Sequence, residues 1–171
     1  MPTPPPATAA PVSADMTEIE RALTHFAYLA SRVRQHERLM TLVGLPLDRA
    51  AVALLRQIAD SEPMRPGELG RLLGVEASHI TRQVQHLEKG GFVTRVPDPA
   101  DRRAQRIQLT PAGEDAIERI RVASCRGMQV ALADWSPEEL RQLAALCHRM
   151  VDDFVVHAEK DYAELDRSEG N

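Results

Sequence analysis

One polar face of a predicted helix carries side chains of the types that read DNA bases. At about 100° per residue, Ser78, Arg82, Gln85 and Lys89 project together. Arginine can donate to guanine O6 and N7, and glutamine can pair with adenine N6 and N7. The face has no acidic residue at its centre, so it predicts contact with the major groove; an ordinary solvated face is the competing interpretation. Three further polar residues flank this face: His79, Thr81 and His86.

A second charged group follows in a short loop, with the sequence PDPADRR at residues 97–103. Asp101 can hydrogen-bond the loop backbone or hold one arginine. A freed arginine, Arg102 or Arg103, can then enter a narrow minor groove, where the negative potential is enhanced. The competing interpretation is a surface ion pair of little consequence for stability. An ion pair with Asp101 needs only one arginine, and the hairpin tip has two adjacent ones. The loop therefore predicts minor-groove contact by the other arginine.

The flanking sequence predicts the elements that would position both groups. In order, they are a helix at 66–73, a helix at 77–89, and strands at 92–96 and 104–109. Gly74 can supply the positive φ of a tight turn between the two helices. Ile80, Val84 and Leu87 fall on one arc of the second helix and predict its packing face. This order is that of a winged helix-turn-helix.

Amphipathic helices are predicted on both sides of this domain. Thr17 and Glu20 match a capping box at the start of one helix. Ser136, Pro137 and Glu139 mark the start of another. The two apolar stripes are Ile19, Leu23, Phe26, Ala30 and Val33, and Leu140, Leu143, Cys147, Met150 and Phe154. Stripes so far apart in sequence favour a helical dimerisation module over packing within one chain.

The predicted fold is mainly α with a small β-wing (α+β). The expected organisation is a disordered tail at 1–15, a dimerisation helix at 16–45, a winged helix-turn-helix at 46–110, dimerisation helices at 111–160 and an acidic, fraying tail at 161–171. The uncharged, Pro- and Ala-rich start cannot bury a core. At 171 residues, the chain is long enough for one ordinary core and an arm.

The distribution of charge favours DNA, although the net charge is −4. Residues 61–110 carry eight Arg and Lys against six acids, whereas residues 111–171 carry seven against thirteen. DNA responds to the local basic patch rather than to the total charge.

No long apolar run or secretory leader pattern is present, so we expect a cytoplasmic protein. No nucleophile–base set, phosphate loop or metal motif indicates an enzyme or a cofactor.

Together these motifs resemble the MarR family of bacterial transcriptional regulators over residues 17–158. The specific matches are Gly67-Glu68-Leu69, Leu72-Leu73-Gly74-Val75, Thr81-Arg82, Leu87-Glu88, Gly91-Phe92-Val93, Asp98-Pro99-Ala100-Asp101-Arg102-Arg103 and Leu109-Thr110-Pro111-Ala112-Gly113. The resemblance implies a homodimer on a pseudo-palindromic operator in double-stranded DNA. It implies major-groove contacts for Ser78, Thr81, Arg82 and Gln85. It also implies minor-groove entry by Arg102 or Arg103, oriented by Asp101.

The resemblance further implies repression that is relieved by a small aromatic or phenolic acid. The first helix offers His25, Tyr28, Arg32 and His36, of which residues 25, 28 and 32 share a helical face. Arg32 could pair with a carboxylate, and Tyr28 and His25 could hydrogen-bond a phenol. Val52 lies near the family's ligand cleft. A partly solvated helix face is the competing interpretation of the first group.

Three alternatives remain open at this point. A thiol sensor would use Cys125 or Cys147, which are otherwise interpreted as two small buried hydrophobic residues. A metal sensor would draw on Cys147, His148, His25 or His157. The third alternative is a winged-helix module that binds protein instead of DNA.

Overall fold

The computed structural model describes residues 13–101 and 103–169, with side chains described as far as residue 157. Its elements are α1 (Ala14–Ala30), α2 (Val33–Val43), α3 (Arg49–Ala59), α4 (Pro66–Leu73), α5 (Ala77–Lys89), β1 (Val93–Pro97), β2 (Gln105–Leu109), α6 (Pro111–Ala131) and α7 (Pro137–Glu169). The predicted fold class is confirmed: the protein is mainly helical with one small antiparallel sheet. Most of the predicted disordered tail lies outside the described residues.

The N-terminal helical region differs from the prediction in two ways. The Ser13 hydroxyl accepts the Met16 N–H at 3.2 Å, so α1 begins before Thr17 and the predicted capping box is wrong. The expected single helix at 16–45 is also wrong, because the chain leaves helical geometry at Arg32, where ψ is 127°. A second helix starts at Val33. No glycine or proline marks this break in the sequence. The apolar spacing continues across it, so the sequence predicted one helix.

The helices and strands of the winged domain pack around one apolar core. The packing face predicted for α5 is confirmed, since Ile80, Val84 and Leu87 are all buried. On α4, Leu69 is buried and Leu72 is 51% exposed. Helix α4 has only eight residues and packs on α3 and α5, which leaves one side of it in solvent.

The start of α6 approaches the start of β1 closely. The Thr110 hydroxyl accepts the Gly113 N–H at 3.1 Å and donates to the Gly91 carbonyl at 2.6 Å, and the Thr110 N–H donates to the Phe92 carbonyl at 3.0 Å. A Cβ atom at Gly113 would collide with that same Phe92 carbonyl oxygen. The close approach of the two backbones therefore requires glycine at this position.

Replacing Gly113 by alanine is expected to lower the free energy of unfolding by about 2 kcal/mol, because the backbone must shift to admit the methyl group. Urea denaturation measures this change. Gly67→Ala is the matched control, since a Cβ there meets no atom within 4 Å. It is expected to leave stability equal or slightly higher, because alanine favours a helix more than glycine does. Equal stability of the two variants would refute this account of the α6–β1 contact.

The predicted start of the last helix is confirmed, whereas the predicted fraying at its end is not observed. Ser136 and Glu139 form the predicted capping box, with Glu139 N–H to Ser136 Oγ at 3.2 Å and Ser136 N–H to Glu139 Oε2 at 2.7 Å. Helix α7 then continues to Glu169, so the predicted fraying of the acidic tail is wrong for the residues described there. No glycine or proline interrupts the sequence between Pro137 and Gly170. Within the described residues, no helix combines the length and hydropathy needed to cross a membrane.

Candidate nucleic-acid interface

Helix α5 presents the predicted polar face to solvent. We call its exposed residues the reading face: Ser78, Thr81, Arg82, Gln85, His86 and Lys89. His79 is half-buried beside them. The Arg82 guanidinium and the Lys89 ammonium make no hydrogen bond or ion pair with any residue that the structure describes. These donors are therefore available for an external acceptor.

Two acidic residues, Glu76 and Glu88, border this face, and Glu88 is paired with an arginine. Glu88, the acid within α5, pairs with Arg95 of β1 at 3.2 Å. Glu76 precedes α5 as its N-cap residue, and its side chain makes no capping hydrogen bond. Lys89 and His86 also lie in the last turn of α5, where positive charge is favoured by the helix dipole. The C-terminal end of the reading face therefore favours an anion.

A two-stranded hairpin, the wing, follows α5. Strands β1 and β2 pair antiparallel, with Val93 opposite Leu109 and Pro97 opposite Gln105. At the tip, Asp101 Oδ1 accepts the Arg103 N–H at 3.0 Å and the Asp101 carbonyl accepts the Ala104 N–H at 2.9 Å. Of the two roles considered for Asp101, bonding to the loop backbone is observed. Arg103 is exposed.

Arg102 lies outside the described residues. The choice between Arg102 and Arg103 as the groove contact therefore stays a prediction.

The base of the wing is anchored by a residue that the sequence analysis missed. The Asp98 side chain is only 1% exposed, and its Oδ2 accepts Arg65 Nε at 2.7 Å and Arg106 Nε at 3.0 Å. Its Oδ1 accepts the Ala100 N–H at 2.8 Å. Arg65 precedes α4 and Arg106 belongs to β2, so this carboxylate joins the wing to the first helix of the helix-turn-helix. Only the Asp-Pro turn pattern was visible in the sequence, because Arg65 is distant along the chain.

Comparison with known proteins identifies this arrangement. A family model described as the MarR family matches residues 47–104, which include the helix pair and most of the wing. The crystal structure of transcriptional regulator Tm0710 from Thermotoga maritima is 32% identical with a TM-score of 0.62, and the similarity covers 81% of this chain and 98% of that one. The chain belongs to the MarR family.

Two further transcriptional regulators are similar to this protein over most of its length. The HTH-type transcriptional regulator YxaD of Bacillus subtilis is 28% identical over 137 residues, covering 80% of this chain and 93% of YxaD. The PcaV transcriptional regulator from Streptomyces coelicolor, solved in complex with its natural ligand, is 28% identical with a TM-score of 0.51, covering 84% of this chain and 97% of PcaV. The protein is accordingly a MarR-family transcriptional regulator with a winged helix-turn-helix fold.

The residues predicted to bind a MarR-type effector are only partly brought together. His25 and Tyr28 are exposed on α1. The Arg32 guanidinium lies 5.2 Å from the centroid of the Tyr28 ring, although α1 ends at Ala30 and the two residues share no helical face. His36 Nε2 lies 2.9 Å from the Leu47 carbonyl oxygen, a contact between α2 and the segment before α3.

Val52 belongs to the buried core of the winged domain. Cys125 is half-buried and Cys147 is exposed, so the interpretation of both as buried hydrophobic residues is wrong for Cys147. Within the described residues, no three His, Cys, Asp or Glu side chains form a group that could hold a metal ion. The effector, thiol and metal assignments therefore stay predictions.

The anchor formed by Asp98 predicts a pH effect on stability. The two guanidinium groups and the Ala100 N–H hold the pKa of Asp98 well below its usual range, because they stabilise its charged form. A carboxyl with a lowered pKa in the folded state contributes stability above its unfolded pKa of about 4, and this contribution is lost as the pH falls towards the folded pKa. The melting temperature of the wild type should therefore fall steeply below about pH 4.

Asp98→Asn is expected to melt at a lower temperature at pH 7 and to show a shallower fall in acid. Thermal denaturation between pH 7 and pH 3 measures both effects. Asp101→Asn is the matched control in the same loop, because the Asp101 side chain is exposed and, among the described residues, accepts only the Arg103 N–H. The anchoring role fails if Asp98→Asn and Asp101→Asn both follow the wild-type profile.

Proposed function

We propose that the protein is a homodimeric, sequence-specific DNA-binding regulator that recognises a pseudo-palindromic operator. The observation that carries this proposal is the exposed reading face of α5, whose Arg82 and Lys89 have no hydrogen-bond or ion-pair partner among the described residues, beside a wing that Asp98 ties to the same domain. A helix in the major groove and a hairpin tip in the adjacent minor groove make use of both features.

The proposed contacts follow from the chemistry of each side chain. Arg82 and Gln85 contact guanine and adenine edges, and Ser78 and Thr81 contribute hydroxyls to bases or phosphates. His79 flanks them at the half-buried edge of the helix. Lys89 and His86 lie in the last turn of α5 and contact the phosphate backbone. Arg102 or Arg103 enters the minor groove, with Asp101 shaping the loop.

Exposed apolar residues on the outer helices support a homodimer. Phe26 on α1 is 69% exposed and Phe154 on α7 is 64% exposed, and each belongs to a stripe predicted from the sequence. Extensive exposed apolar surface is typical of a protein interface. We therefore assign residues 16–45 and 111–160 to dimerisation and residues 46–110 to DNA binding. A two-fold dimer places its inverted half-sites about one helical turn apart.

We further propose that the protein represses transcription and is released by a small aromatic acid. The Arg32 guanidinium and the Tyr28 ring provide a cation and an aromatic surface for such a ligand. The PcaV regulator, a protein of similar sequence and fold, was solved with its natural ligand. An effector changes operator affinity only if it binds one conformation of the regulator more tightly than another.

A mobility shift with DNA from upstream of the protein's own gene tests the DNA-binding proposal. The expected result is a complex that survives unrelated competitor DNA and weakens steeply as the salt concentration rises. Binding that competitor DNA abolishes in equal measure would contradict sequence specificity. A complete absence of binding, with the dimer intact, would favour a winged-helix module that binds protein.

A further inference from the structure

The reading face of α5 has a neighbouring element on each flank. Measured from Arg82, Gln83 lies about 100° round the helix in one direction and Glu88 lies about 120° in the other. Glu88 pairs with Arg95 of β1 at 3.2 Å, so this flank adjoins the wing. Gln83 Nε2 lies 3.5 Å from Asp48 Oδ2, so the opposite flank adjoins the start of α3. The reading face therefore lies between the wing and the start of α3.

Side-chain contacts hold the start of α3 in this position. Asp48 is the N-cap residue of α3, and its Oδ1 accepts the Ala51 N–H at 2.7 Å. Its Oδ2 faces the Gln83 amide, so both oxygens of this carboxylate face donors within the protein. Ala50 lines one side of a narrow cleft, and His79 and Gln83 line the other. The first turn of α3 therefore runs beside the N-terminal half of α5.

The first residue of α3 places a positive charge on this flank. Arg49 is exposed, and its guanidinium makes no hydrogen bond or ion pair with any residue that the structure describes. Its neighbour Asp48 contacts the Ala51 N–H and Gln83 instead. A guanidinium without an internal partner is available for an external anion, and its planar fork matches the geometry of a phosphate.

The dimensions of duplex DNA place a phosphate strand beside this arginine. The major groove is about 12 Å wide, and an α-helix with its side chains is about 10–12 Å across. A helix in the groove therefore has one phosphate strand along each flank. We propose that Arg49 binds a phosphate of the strand that lies across the major groove from the wing. This inference rests on the proposed DNA binding and adds a contact outside the reading face and the wing.

A contact of this kind positions the protein without reading the sequence, because every nucleotide carries the same phosphate. The wing and Arg49 would hold α5 from opposite sides, which fixes how the reading face is placed in the groove. Loss of Arg49 should therefore weaken binding to all DNA in equal proportion, whereas loss of Arg82 should weaken binding mainly to the operator.

The test is Arg49→Ala in the full-length protein, titrated against DNA from upstream of its own gene and against unrelated DNA of equal length. The variant is expected to lose about three- to tenfold in affinity for both DNAs. The slope of log K against log salt concentration is expected to fall by about one, because one phosphate contact is lost. Arg49→Lys keeps the charge and is expected to retain the wild-type slope. Ethylation of one phosphate per half-site, across the major groove from the wing, is expected to weaken the wild type but not Arg49→Ala.

Arg56→Ala is the matched control on the same helix. Arg56 is exposed on nearly the same side of α3, about 10 Å farther along the axis. That end of α3 lies near β2 and α6, since Ile58 and Leu109 line one cleft there. The control is expected to keep the wild-type affinity and salt slope, and thermal denaturation checks the fold of every variant.

The proposal is overturned if Arg49→Ala binds both DNAs as the wild type does, if it loses affinity for only one of them, or if Arg56→Ala causes the same loss. These results leave the proposed operator binding intact, because the wild type still binds. A wild type that binds neither DNA would overturn both proposals.

Discussion

Phe154→Asp is expected to convert the proposed dimer to a monomer and to weaken operator binding by about a hundredfold or more, since a second linked half-site commonly adds about 10²–10⁴ in avidity. Phe154 is 64% exposed on α7 and belongs to the apolar stripe of that helix. A carboxylate at this position would have to be buried unpaired in a dimer interface, which is strongly unfavourable. Sedimentation equilibrium and a mobility shift measure the two effects.

Ala145→Asp is the matched control for that variant. It introduces the same charge on the same helix, but the residue projects from the side opposite the apolar stripe. It is expected to remain dimeric and to bind the operator as the wild type does. If Phe154→Asp also remains a dimer, the α7 stripe is not the dimer interface.

Arg82→Ala is expected to lower operator affinity by about 10- to 100-fold, which corresponds to the 1–3 kcal/mol that a bidentate arginine–guanine contact contributes to discrimination. The Arg82 guanidinium makes no hydrogen bond or ion pair with a described residue, so its removal should not disturb the fold. Titration of labelled operator DNA measures the affinity, and a circular dichroism melt checks the fold. The loss should be smaller on DNA in which the contacted guanine is replaced.

Arg56→Ala provides the comparison for Arg82→Ala. Arg56 is also exposed, lies on α3 and is outside the reading face. It is expected to change operator affinity by less than about twofold, since a lone surface charge away from the DNA has little effect on binding at physiological salt. An equal loss for both variants would show that Arg82 acts only through general charge.

The elements that could be predicted from the sequence are those with a local signal. Helices α4 and α5 carry their own start and end signals and a clear apolar arc, and both were predicted with the observed boundaries. The wing loop is bounded by prolines and followed by alternating residues. The start of α7 is set by Ser136, Pro137 and Glu139, which act on one another within a single turn.

The features that were missed depend on contacts that one-dimensional patterns do not encode. The anchor at Asp98 joins Arg65, which precedes α4, to Arg106 of β2, and these two residues lie far apart in sequence. The break at Arg32 contains no glycine or proline. Apolar residues continue across it at spacings of three and four, so one continuous helix was predicted. The grouping of His25, Tyr28, Arg32 and His36 depended on that continuous helix and is weakened by its absence.

A hydroxyl-radical footprint of the wild type on its operator, with guanine methylation protection, tests the central claim most directly. The claim is that α5 reads the major groove while the wing enters the adjacent minor groove, twice per dimer. It predicts two protected guanine clusters about one helical turn apart, with minor-groove protection beside each, and loss of guanine protection in Arg82→Ala. Protection confined to the phosphate backbone, uniform along any DNA and unchanged by Arg82→Ala, would contradict it.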